Sequence, residues 1–261
     1  MAKNIEAFAK IVDDAAHHAS GIHQLSHQTD IGGDKLDMDD AYAIQKASIL
    51  RRVARGERRV GIKMGFTSRA KCIQMGLDDM IWGRLSSGMI VEDGGPISLK
   101  RYVHPRVEPE IAFLLKKELV GHVTPLQALA AVEAIAPAME IIDSRYENFK
   151  FSLADVVADN ASSSGFVTGQ WHRPDMDFSN LGLVMSFNGK PVQVGSTAAI
   201  LGNPLRALVA GARFAEACGE PLQPGWIVMA GGATAAEALS AGVYAEMEMQ
   251  SLGRVGFSVS A

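Results

Sequence analysis

The stretch 105–115 constrains the fold and the chemistry of this chain more than any other part of the sequence. It reads Pro-Arg-Val-Glu-Pro-Glu-Ile-Ala-Phe-Leu-Leu, an apolar run interrupted by two glutamates that are two residues apart. Because successive side chains of a β-strand point to opposite faces, Glu108 and Glu110 project from the same face. The opposite-face positions Val107 and Ile111 are apolar, and the run ends without alternation, which indicates a strand covered on both faces.

Two carboxylates on a covered strand need a positive charge between them, because they repel each other and lose hydration. A third acid, Glu140, occupies an equally apolar run, 136–142, after a predicted helix from Thr124 to about Ile135. A strand–helix–strand connection can bring this acid beside the first two. Three oxygen ligands with positions left open suit Mg²⁺ or Mn²⁺ better than zinc. A solvated strand face remains the alternative for the first two glutamates taken alone.

Lys63 is the second unusual residue, since it lies among small and apolar neighbours in Gly-Ile-Lys-Met-Gly. One interpretation is a lysine whose stem packs on apolar surface while its ammonium stays in solvent. The other is an ammonium held near the metal, where it stabilises a developing oxyanion or relays a proton. The hydroxyl-rich loop 159–164 is a further candidate for substrate contacts, and His104 is a weaker one.

Several classes of protein are disfavoured by what the sequence lacks. A net charge of -4 gives no basic footprint for nucleic acid. No Gly-x-Gly-x-x-Gly or Gly-x-Ser-x-Gly motif supports a dinucleotide site or a serine hydrolase. The two cysteines, Cys72 and Cys218, are distant in sequence and predict free thiols in a reducing compartment. Without a signal peptide or a membrane-length apolar run, we expect a soluble, cytoplasmic protein.

The predicted elements divide the chain into an N-terminal helical flank, 1–58, and a mixed β catalytic region, 59–261. No composition break separates them, so we expect one structural domain overall. Asp37, with Asp40 three residues on, predicts the start of the second helix. Helices are predicted over 5–19, 38–55, 68–75, 124–135, 153–157 and 203–218. Strands are predicted over 60–66, 89–91, 105–115, 136–142, 184–187, 191–194, 226–229, 244–249 and 255–259.

Three segments, 60–68, 104–113 and 159–163, together resemble the hydratase/decarboxylase branch of the fumarylacetoacetate hydrolase superfamily. The likeness runs in order over nearly the whole chain and includes 222–226 and 252–255. It implies an α+β fold, a mixed β-sandwich or roll with N-terminal and flanking helices. It also implies Mg²⁺ or Mn²⁺ as cofactor, a homo-oligomer, and association of a decarboxylase with its sister hydratase. The matching metal ligands are Glu108, Glu110 and Glu140, and the matching active-site lysine is Lys63.

Within this branch, the sequences of segments 63–71 and 231–236 resemble those of the decarboxylases. The hydratases tend to carry an acid before an aromatic-Gly pair, where this chain has Ile81. The resemblance thus implies a lyase that releases CO₂ from 2-oxo-3-hexenedioate, giving 2-hydroxypenta-2,4-dienoate in the meta-cleavage catabolism of aromatic compounds. A 2-hydroxypenta-2,4-dienoate hydratase is the first alternative and a hydrolase of acylpyruvates is the second. A non-catalytic partner of a sister enzyme also stays open. Candidate substrate-binding residues are Ile81 and Trp82 around the departing carboxylate, with Arg145, Ser162 and Ser163.

Overall fold

A computed structural model of the chain describes residues 3–67 and 80–261. The helix predicted over 68–75, which includes Cys72, lies outside these ranges. Within them, five α-helices flank two β-sheets: α1 (Ile5–His18), α2 (Met38–Ala54), α3 (Pro125–Ala130), α4 (Leu153–Ala158) and α5 (Leu205–Ala217). Among the helices so described, none combines the length and the apolar character needed to cross a lipid bilayer.

The two N-terminal helices form where the sequence predicts them, and local capping explains where the second one starts. Asp37 accepts a hydrogen bond from the backbone N–H of Asp40, and the Asp40 carboxylate accepts one from the backbone N–H of Asp37. This reciprocal cap satisfies donors that the first turn leaves unpaired. The helices are then joined by Asp13 of α1, whose buried carboxylate pairs with Arg51 and Arg55 of α2.

The larger sheet is mixed and holds the predicted two-glutamate strand near its centre. Its strands, numbered in chain order, are β1 (Arg59–Gly65), β2 (Ile81–Ser86), β3 (Ile90–Val91), β5 (Pro105–Leu115), β6 (Val132–Asp143), β7 (Ser163–Thr168), β10 (Ile227–Met229) and β11 (Glu237–Ala238). The order is β2-β1-β10-β5-β6-β7-β3, and β11 also pairs with β5. The β1–β10 pair is parallel, whereas β5 pairs antiparallel with both β10 and β6.

The smaller sheet packs on the larger one and completes a sandwich. Its strands are β4 (Pro96–Ser98), β8 (Gly182–Phe187), β9 (Lys190–Ser196), β12 (Tyr244–Met249) and β13 (Gly253–Ser260), in the order β4-β13-β12-β8-β9. Phe113 and Met139 of the larger sheet share one buried core with Met247 and Phe257 of the smaller sheet. The expectation of an α+β fold, a mixed β-sandwich with N-terminal and flanking helices, is confirmed.

The helix predicted from Thr124 to about Ile135 is wrong in its second half. Helix α3 ends at Ala130, and the chain enters β6 at Val132. The alanine-rich sequence suits a helix, but here it pairs with β5 along almost the whole strand, with Ile135 opposite Phe113. Tertiary pairing therefore overrides the local helix preference.

The N-terminal helices pack directly behind the region that carries the site described below. Phe8 of α1 and Ile44 of α2 share a second buried core with Ile81 of β2 and Val157 of α4. The buried Gln45 amide donates to the Val157 carbonyl at 2.8 Å and to a carbonyl of β2 at 3.1 Å. Helices and sheet are thus joined by buried contacts, while the division at residues 58 and 59 stays a prediction.

Candidate metal centre and its cavity

Three carboxylates meet where β5 pairs with β6. In this antiparallel ladder Glu108 lies opposite Glu140, and Glu110 follows two residues along β5 on the same face. Each side chain offers one oxygen that lies within 4.8 Å of the oxygens of the other two. Glu110 and Glu140 are buried, and Glu108 is partly buried. The structure brings together the three predicted acids, and their role as metal ligands stays a prediction.

The electrostatics of this cluster favour a bound cation. Burial first, and then the negative charges of Glu140 and Glu108, raise the pKa of Glu110 well above its usual range. One Glu110 oxygen accepts a hydrogen bond from the backbone N–H of Gly231 at 2.8 Å. The other oxygen, Oε1, and Oε1 of Glu140 are buried without a partner among the described residues. Buried carboxyl oxygens of this kind match the ligand preference of Mg²⁺ or Mn²⁺, and a bound cation would favour their ionised form.

Lys63 is buried beside the same cluster. It lies in the middle of β1, its side chain is 4% exposed, and its Nζ donates to Oε2 of Glu140 at 3.2 Å. The alternative of a lysine with its ammonium in solvent is therefore wrong. A buried ammonium and a buried carboxylate each lower the cost of placing the other in a region of low dielectric. Lys63 thus supplies one positive charge against three carboxylates.

Two consecutive glycines let the main chain approach the carboxylates closely. At Gly232 an added Cβ would lie 2.3 Å from Oε2 of Glu108. Gly231 has a φ of +102°, and an added Cβ would lie 2.2 Å from Oγ1 of Thr67. Only glycine meets both the conformational and the steric requirement here. The pair therefore shapes the space between the loop after β10 and the carboxylates.

A cavity of about 370 Å³ opens beside Lys63 and Glu108. Its wall is mostly apolar, with Lys63 and Arg106 as the cationic residues among the described residues that line it. A site with a few polar groups in an apolar wall is the usual arrangement for a small-molecule ligand. The lining residues are Lys63, Met64, Gly65, Phe66, Thr67, Ile81, Arg106, Glu108, Ile142, Phe149, Phe151, Val156, Ala161, Ser162, Gly232, Ala235 and Ala236.

Of the two apolar residues predicted to surround substrate, Ile81 lines this cavity and Trp82 does not. They are neighbours on β2, and adjacent strand residues point to opposite faces. Trp82 instead stacks on Tyr42 of α2, with ring centroids 5.8 Å apart, and the central carbon of the Arg84 guanidinium lies 4.4 Å from the Trp82 ring centroid. The prediction for Trp82 is therefore corrected to a packing role behind the cavity wall.

The two predicted serines are adjacent in sequence but differ in where their side chains lie. Ser162 lines the cavity, whereas Ser163 begins β7 and its buried hydroxyl does not reach the cavity. The chain before β7 is strained, because Asn160, Ala161 and Ser162 have φ values of +52°, +49° and +60°. The Asn160 side chain secures this turn through two hydrogen bonds to the backbone of Arg84, at 2.7 and 2.9 Å.

Arg145 is also predicted to contact substrate, and the structure places it elsewhere. Its buried guanidinium pairs with Asp159 at 2.6 Å and donates to the Asp159 carbonyl and to the Ser164 hydroxyl. It lines a separate polar cavity of about 580 Å³ rather than the one beside the carboxylates. The correction follows from a partner that the sequence did not reveal, since Asp159 neutralises Arg145 and fixes it at the base of the strained turn.

Some residues of the cavity were missed by sequence reasoning. Arg106 precedes Glu108 by two residues, so strand alternation already placed it on the same face. The glycine pair after the buried strand β10 also signalled a close backbone approach. Phe149 and Phe151 had no such signal, because they lie in an irregular connection whose path depends on tertiary packing.

The family model described as Fumarylacetoacetate (FAA) hydrolase C-terminal matches residues 73–260. The chain belongs to the fumarylacetoacetate hydrolase family. Two similar proteins are more informative than the family as a whole. The chain is 58% identical to a 4-oxalocrotonate decarboxylase of Pseudomonas sp over 256 residues, 98% of each chain. It is 37% identical to a 2-keto-4-pentenoate hydratase of Paraburkholderia xenovorans (strain LB400) over 223 residues, 84% of this chain and 83% of the hydratase.

A solved structure of a similar protein has the same fold as this chain. The 4-oxalocrotonate decarboxylase from Pseudomonas putida G7, complexed with magnesium and adipate, superposes with a TM-score of 0.92 at 36% sequence identity. The match covers 98% of this chain and 97% of that one. The structural match to this decarboxylase thus includes the N-terminal helices of this chain as well as its two sheets.

Proposed function

We propose that the chain is a metal-dependent decarboxylase, a carboxy-lyase that converts 2-oxo-3-hexenedioate (4-oxalocrotonate) into 2-hydroxypenta-2,4-dienoate and CO₂. The observation that carries the proposal is the convergence of Glu108, Glu110 and Glu140 beside a largely apolar cavity. The 58% identity to a 4-oxalocrotonate decarboxylase supports the choice of reaction. The adipate bound in the related solved structure is a six-carbon dicarboxylate, as is the proposed substrate.

Glu108, Glu110 and Glu140 would hold a divalent cation, Mg²⁺ or Mn²⁺. When bound, the cation supplies a Lewis acid for the keto acid end of the substrate. The related decarboxylase structures contain magnesium or calcium, which agrees with a site made of carboxylate oxygens. The glycine pair contributes by holding Glu110 through the Gly231 N–H and by leaving room beside Glu108.

Lys63 would stabilise the charge that develops on the substrate. As the C5–C6 bond breaks, its electron pair moves through C4 and C3 toward the oxygen at C2. A buried ammonium beside the carboxylates can donate a hydrogen bond to that oxygen, and such a donor is worth about 3–4 kcal/mol in the transition state. Because Lys63 already donates to Glu140, its direction is fixed before substrate arrives.

The apolar wall would assist the loss of CO₂. Ile81, Val156 and Ala161 present apolar surface to the cavity, which would exclude water from the reacting end of the substrate and receive the neutral CO₂. Ser162, on the same wall, is the one predicted serine that we retain as a substrate contact. Trp82, Ser163 and Arg145 would act indirectly, through packing and through support of the strained turn.

A 2-keto-4-pentenoate hydratase is the second candidate, because a hydratase with 37% identity shares most of the chain. Hydration requires a group that delivers a proton or orients water at the far end of the substrate. Among the described residues that line the cavity, Glu108 is the one carboxylate, and no histidine is present. The lack of a second carboxylate or a histidine among these lining residues favours decarboxylation.

Incubation of the purified chain with Mg²⁺ and 2-oxo-3-hexenedioate tests the proposal directly. We expect release of CO₂ with formation of 2-hydroxypenta-2,4-dienoate, and loss of both after addition of a chelator or in the Glu140→Gln variant. The matched control is Glu133→Gln, which replaces an exposed glutamate of the same strand. Hydration of 2-hydroxypenta-2,4-dienoate without any CO₂ release from 2-oxo-3-hexenedioate would contradict the decarboxylase proposal and favour a hydratase.

We infer the pathway, the cellular compartment and the assembly of this enzyme from the same resemblance. Such a decarboxylase would act in the catabolism of aromatic compounds, in the cytoplasm, as a homo-oligomer associated with its sister hydratase. Co-expression with the hydratase, followed by size-exclusion chromatography with light scattering, tests the association. Elution of the two proteins as independent species would contradict it.

A further inference from the structure

The backbone of Arg106 lies on the other side of the carboxylates from that of Lys63, because Lys63 aligns through Met229 of β10 with Ala112 of β5, beyond Glu110. Arg106 precedes Glu108 by two residues on β5, so the two side chains share a face and their Cα atoms are about 6.6 Å apart. In the β5–β6 ladder Arg106 lies opposite Ile142, one step beyond the Glu108–Glu140 pair. Both Arg106 and Ile142 line the cavity. Arg106 therefore contributes to the same cavity as Glu108, from a position along β5 that lies away from Lys63.

The guanidinium is held in place by an aromatic cluster. Its central carbon lies 4.8 Å from the ring centroid of Phe149, within the range of a cation–π contact. Phe149 is in turn fixed edge-on by His104, at 6.0 Å, and by Phe151, at 5.4 Å. A stacked arginine loses little further freedom when it binds a planar anion such as a carboxylate.

The two cationic side chains of the cavity differ in whether a nearby carboxylate neutralises them. Lys63 is buried and paired with Glu140 at 3.2 Å. Arg106 is partly buried, and within residues 3–67 and 80–261 no carboxylate oxygen lies within 4.0 Å of its nitrogens. Facing an apolar wall, it is a preorganised donor for a planar anion, and a carboxylate matches its paired N–H groups.

We propose that Arg106 binds the carboxylate of the substrate that lies farthest from the metal centre. This inference rests on the proposed function, because it assigns the second charged end of a dicarboxylate whose keto acid end lies at Glu108, Glu110 and Glu140. Arg106 and Glu108 are two residues apart on one face of β5, so the guanidinium and the metal centre can bind opposite ends of one extended diacid. Arg106 is then a determinant of specificity for dicarboxylates over monocarboxylates.

The chemistry predicts an unusual kinetic role for such a contact. When the C5–C6 bond breaks, the far carboxylate leaves as neutral CO₂ and the electron pair stays on the retained fragment. The ion pair with Arg106 is therefore strongest before reaction and weakens in the transition state. An interaction that favours the bound substrate over the transition state lowers KM without raising kcat.

Two ligands that differ only in the far carboxylate provide the test. Binding of 2-oxoadipate and of 2-oxohexanoate to the Mg²⁺-loaded protein is measured by calorimetry for the wild type, Arg106→Met and Arg106→Lys. We expect Arg106→Met to weaken 2-oxoadipate binding by about 10-fold or more and 2-oxohexanoate binding by less than about 2-fold. Arg106→Lys should restore part of the loss. Arg173→Met, at an arginine that is 88% exposed, is the control and should change neither affinity.

Kinetics on 2-oxo-3-hexenedioate give the second readout. We expect KM to rise for Arg106→Met while kcat stays within about 2-fold of the wild type or increases. Equal weakening of both ligands would overturn the inference by placing Arg106 at the keto acid end. Unchanged affinity for both, or a fall in kcat at constant KM, would overturn it as well. Failure of the proposed function is recognised separately, as absence of CO₂ release by the wild type.

Discussion

Gly232 lies so close to Glu108 that one added carbon changes the site. An alanine Cβ would be 2.3 Å from the Glu108 carboxylate oxygen, a distance that requires the glutamate to move. Glu108 is also the least buried of the three carboxylates, so it can turn toward solvent without unfolding the strand. The glycine thus sets the position of a candidate ligand through space rather than through charge.

Substitution of Gly232 by alanine should therefore weaken metal binding without unfolding the protein. We expect Mg²⁺ affinity to fall by about 10-fold or more, by analogy with the loss of groups that orient metal ligands. Calorimetric titration measures the affinity, and circular dichroism checks the fold. Gly182→Ala is the matched control, because the nearest atom to its added Cβ is 3.7 Å away. An affinity in Gly232→Ala equal to that of the control would contradict this steric role.

Replacement of Lys63 by alanine should affect chemistry more than binding. Lys63 is the buried donor beside Glu140, and we expect its loss to lower kcat by about 10²–10³-fold, the usual effect of removing an oxyanion donor. Mg²⁺ binding should persist, because all three carboxylates remain. Steady-state kinetics and a metal titration on the same variant separate the two effects. Normal turnover would exclude a role for Lys63 in the reaction.

At the scale of elements, the sequence predicted what depends on local patterns. The capped start of α2, the hairpin turn at Asn188, and the β5 strand with its two glutamates on one face all follow from spacing or turn chemistry. The α3–β6 boundary did not follow from local patterns, because this alanine-rich run becomes a strand only when β5 pairs with it. Whether Ile81 or Trp82 lines the cavity also depends on tertiary packing, because packing decides which face of β2 meets the cavity.

The strained turn before β7 offers a test of how an element positions the cavity wall. Asn160→Ala removes two hydrogen bonds to Arg84 and places alanine at a φ of +52°, so we expect a loss of about 2–3 kcal/mol in unfolding free energy. We also expect kcat/KM to fall about 10-fold, because Ala161 and Ser162 lose their support. Urea unfolding and steady-state kinetics measure the two quantities.

Asn188 provides a matched control for this experiment. It has a φ of +50°, and its side chain also makes two hydrogen bonds to backbone groups, but it lies in the β8–β9 turn. Asn188→Ala should cost stability and leave kcat/KM within about 2-fold of the wild type. A similar loss of activity in both variants would mean that the Asn160 turn affects only stability.

Glu220 links three elements and makes stability depend on pH. It pairs with Lys46 of α2, Arg59 of β1 and Arg84 of β2. Burial disfavours its ionised form, yet the hydrogen bonds and charges of Arg84 and Arg59 outweigh that effect and lower the pKa of Glu220 to about 2. A carboxyl whose pKa is lower folded than unfolded stabilises the protein above about pH 4.5, and this contribution is lost as the pH falls toward 2.

Glu220→Gln should therefore destabilise the protein most at neutral pH. We expect a loss of about 2 kcal/mol at pH 7, less than for a fully buried pair because Glu220 is partly accessible. The difference from the wild type should shrink between pH 5 and pH 3. Urea unfolding at several pH values measures it. Glu133→Gln, which removes an exposed pair with Lys116, should change little at any pH, and a pH-independent loss for Glu220→Gln would contradict the electrostatic origin.

At the scale of the whole molecule, the N-terminal helices and the β-sandwich support one cavity. The core between α1, α2, β2 and α4 includes Ile81, Val156 and Ala161, and these three residues also line the cavity. Because the helical flank packs behind the cavity wall, we expect the flank and the sandwich to share one core rather than to meet at a separable interface. This arrangement was not predictable from the sequence, because the packing of α2 on β2 joins distant segments.

We predict that flank and sandwich unfold as one cooperative unit. Far-ultraviolet circular dichroism follows helices α1 and α2 of the flank, whereas Trp226, next to β10, reports on the sandwich by fluorescence in a variant whose Trp82 and Trp171 are replaced by Phe. The two signals should show coincident transitions in urea. Separate transitions would indicate that residues 1–58 form an independent folding unit.

Titration with Mn²⁺, followed by electron paramagnetic resonance, tests most directly whether three carboxylates converge on one cation. We predict one Mn²⁺ per wild-type chain, displaced by Mg²⁺, and an affinity that is weaker by about 100-fold in Glu140→Gln, with Glu133→Gln unchanged. Circular dichroism confirms that the variants are folded. Mn²⁺ binding of equal strength in wild type and Glu140→Gln, or no binding by the folded wild type, would contradict a metal centre at this site.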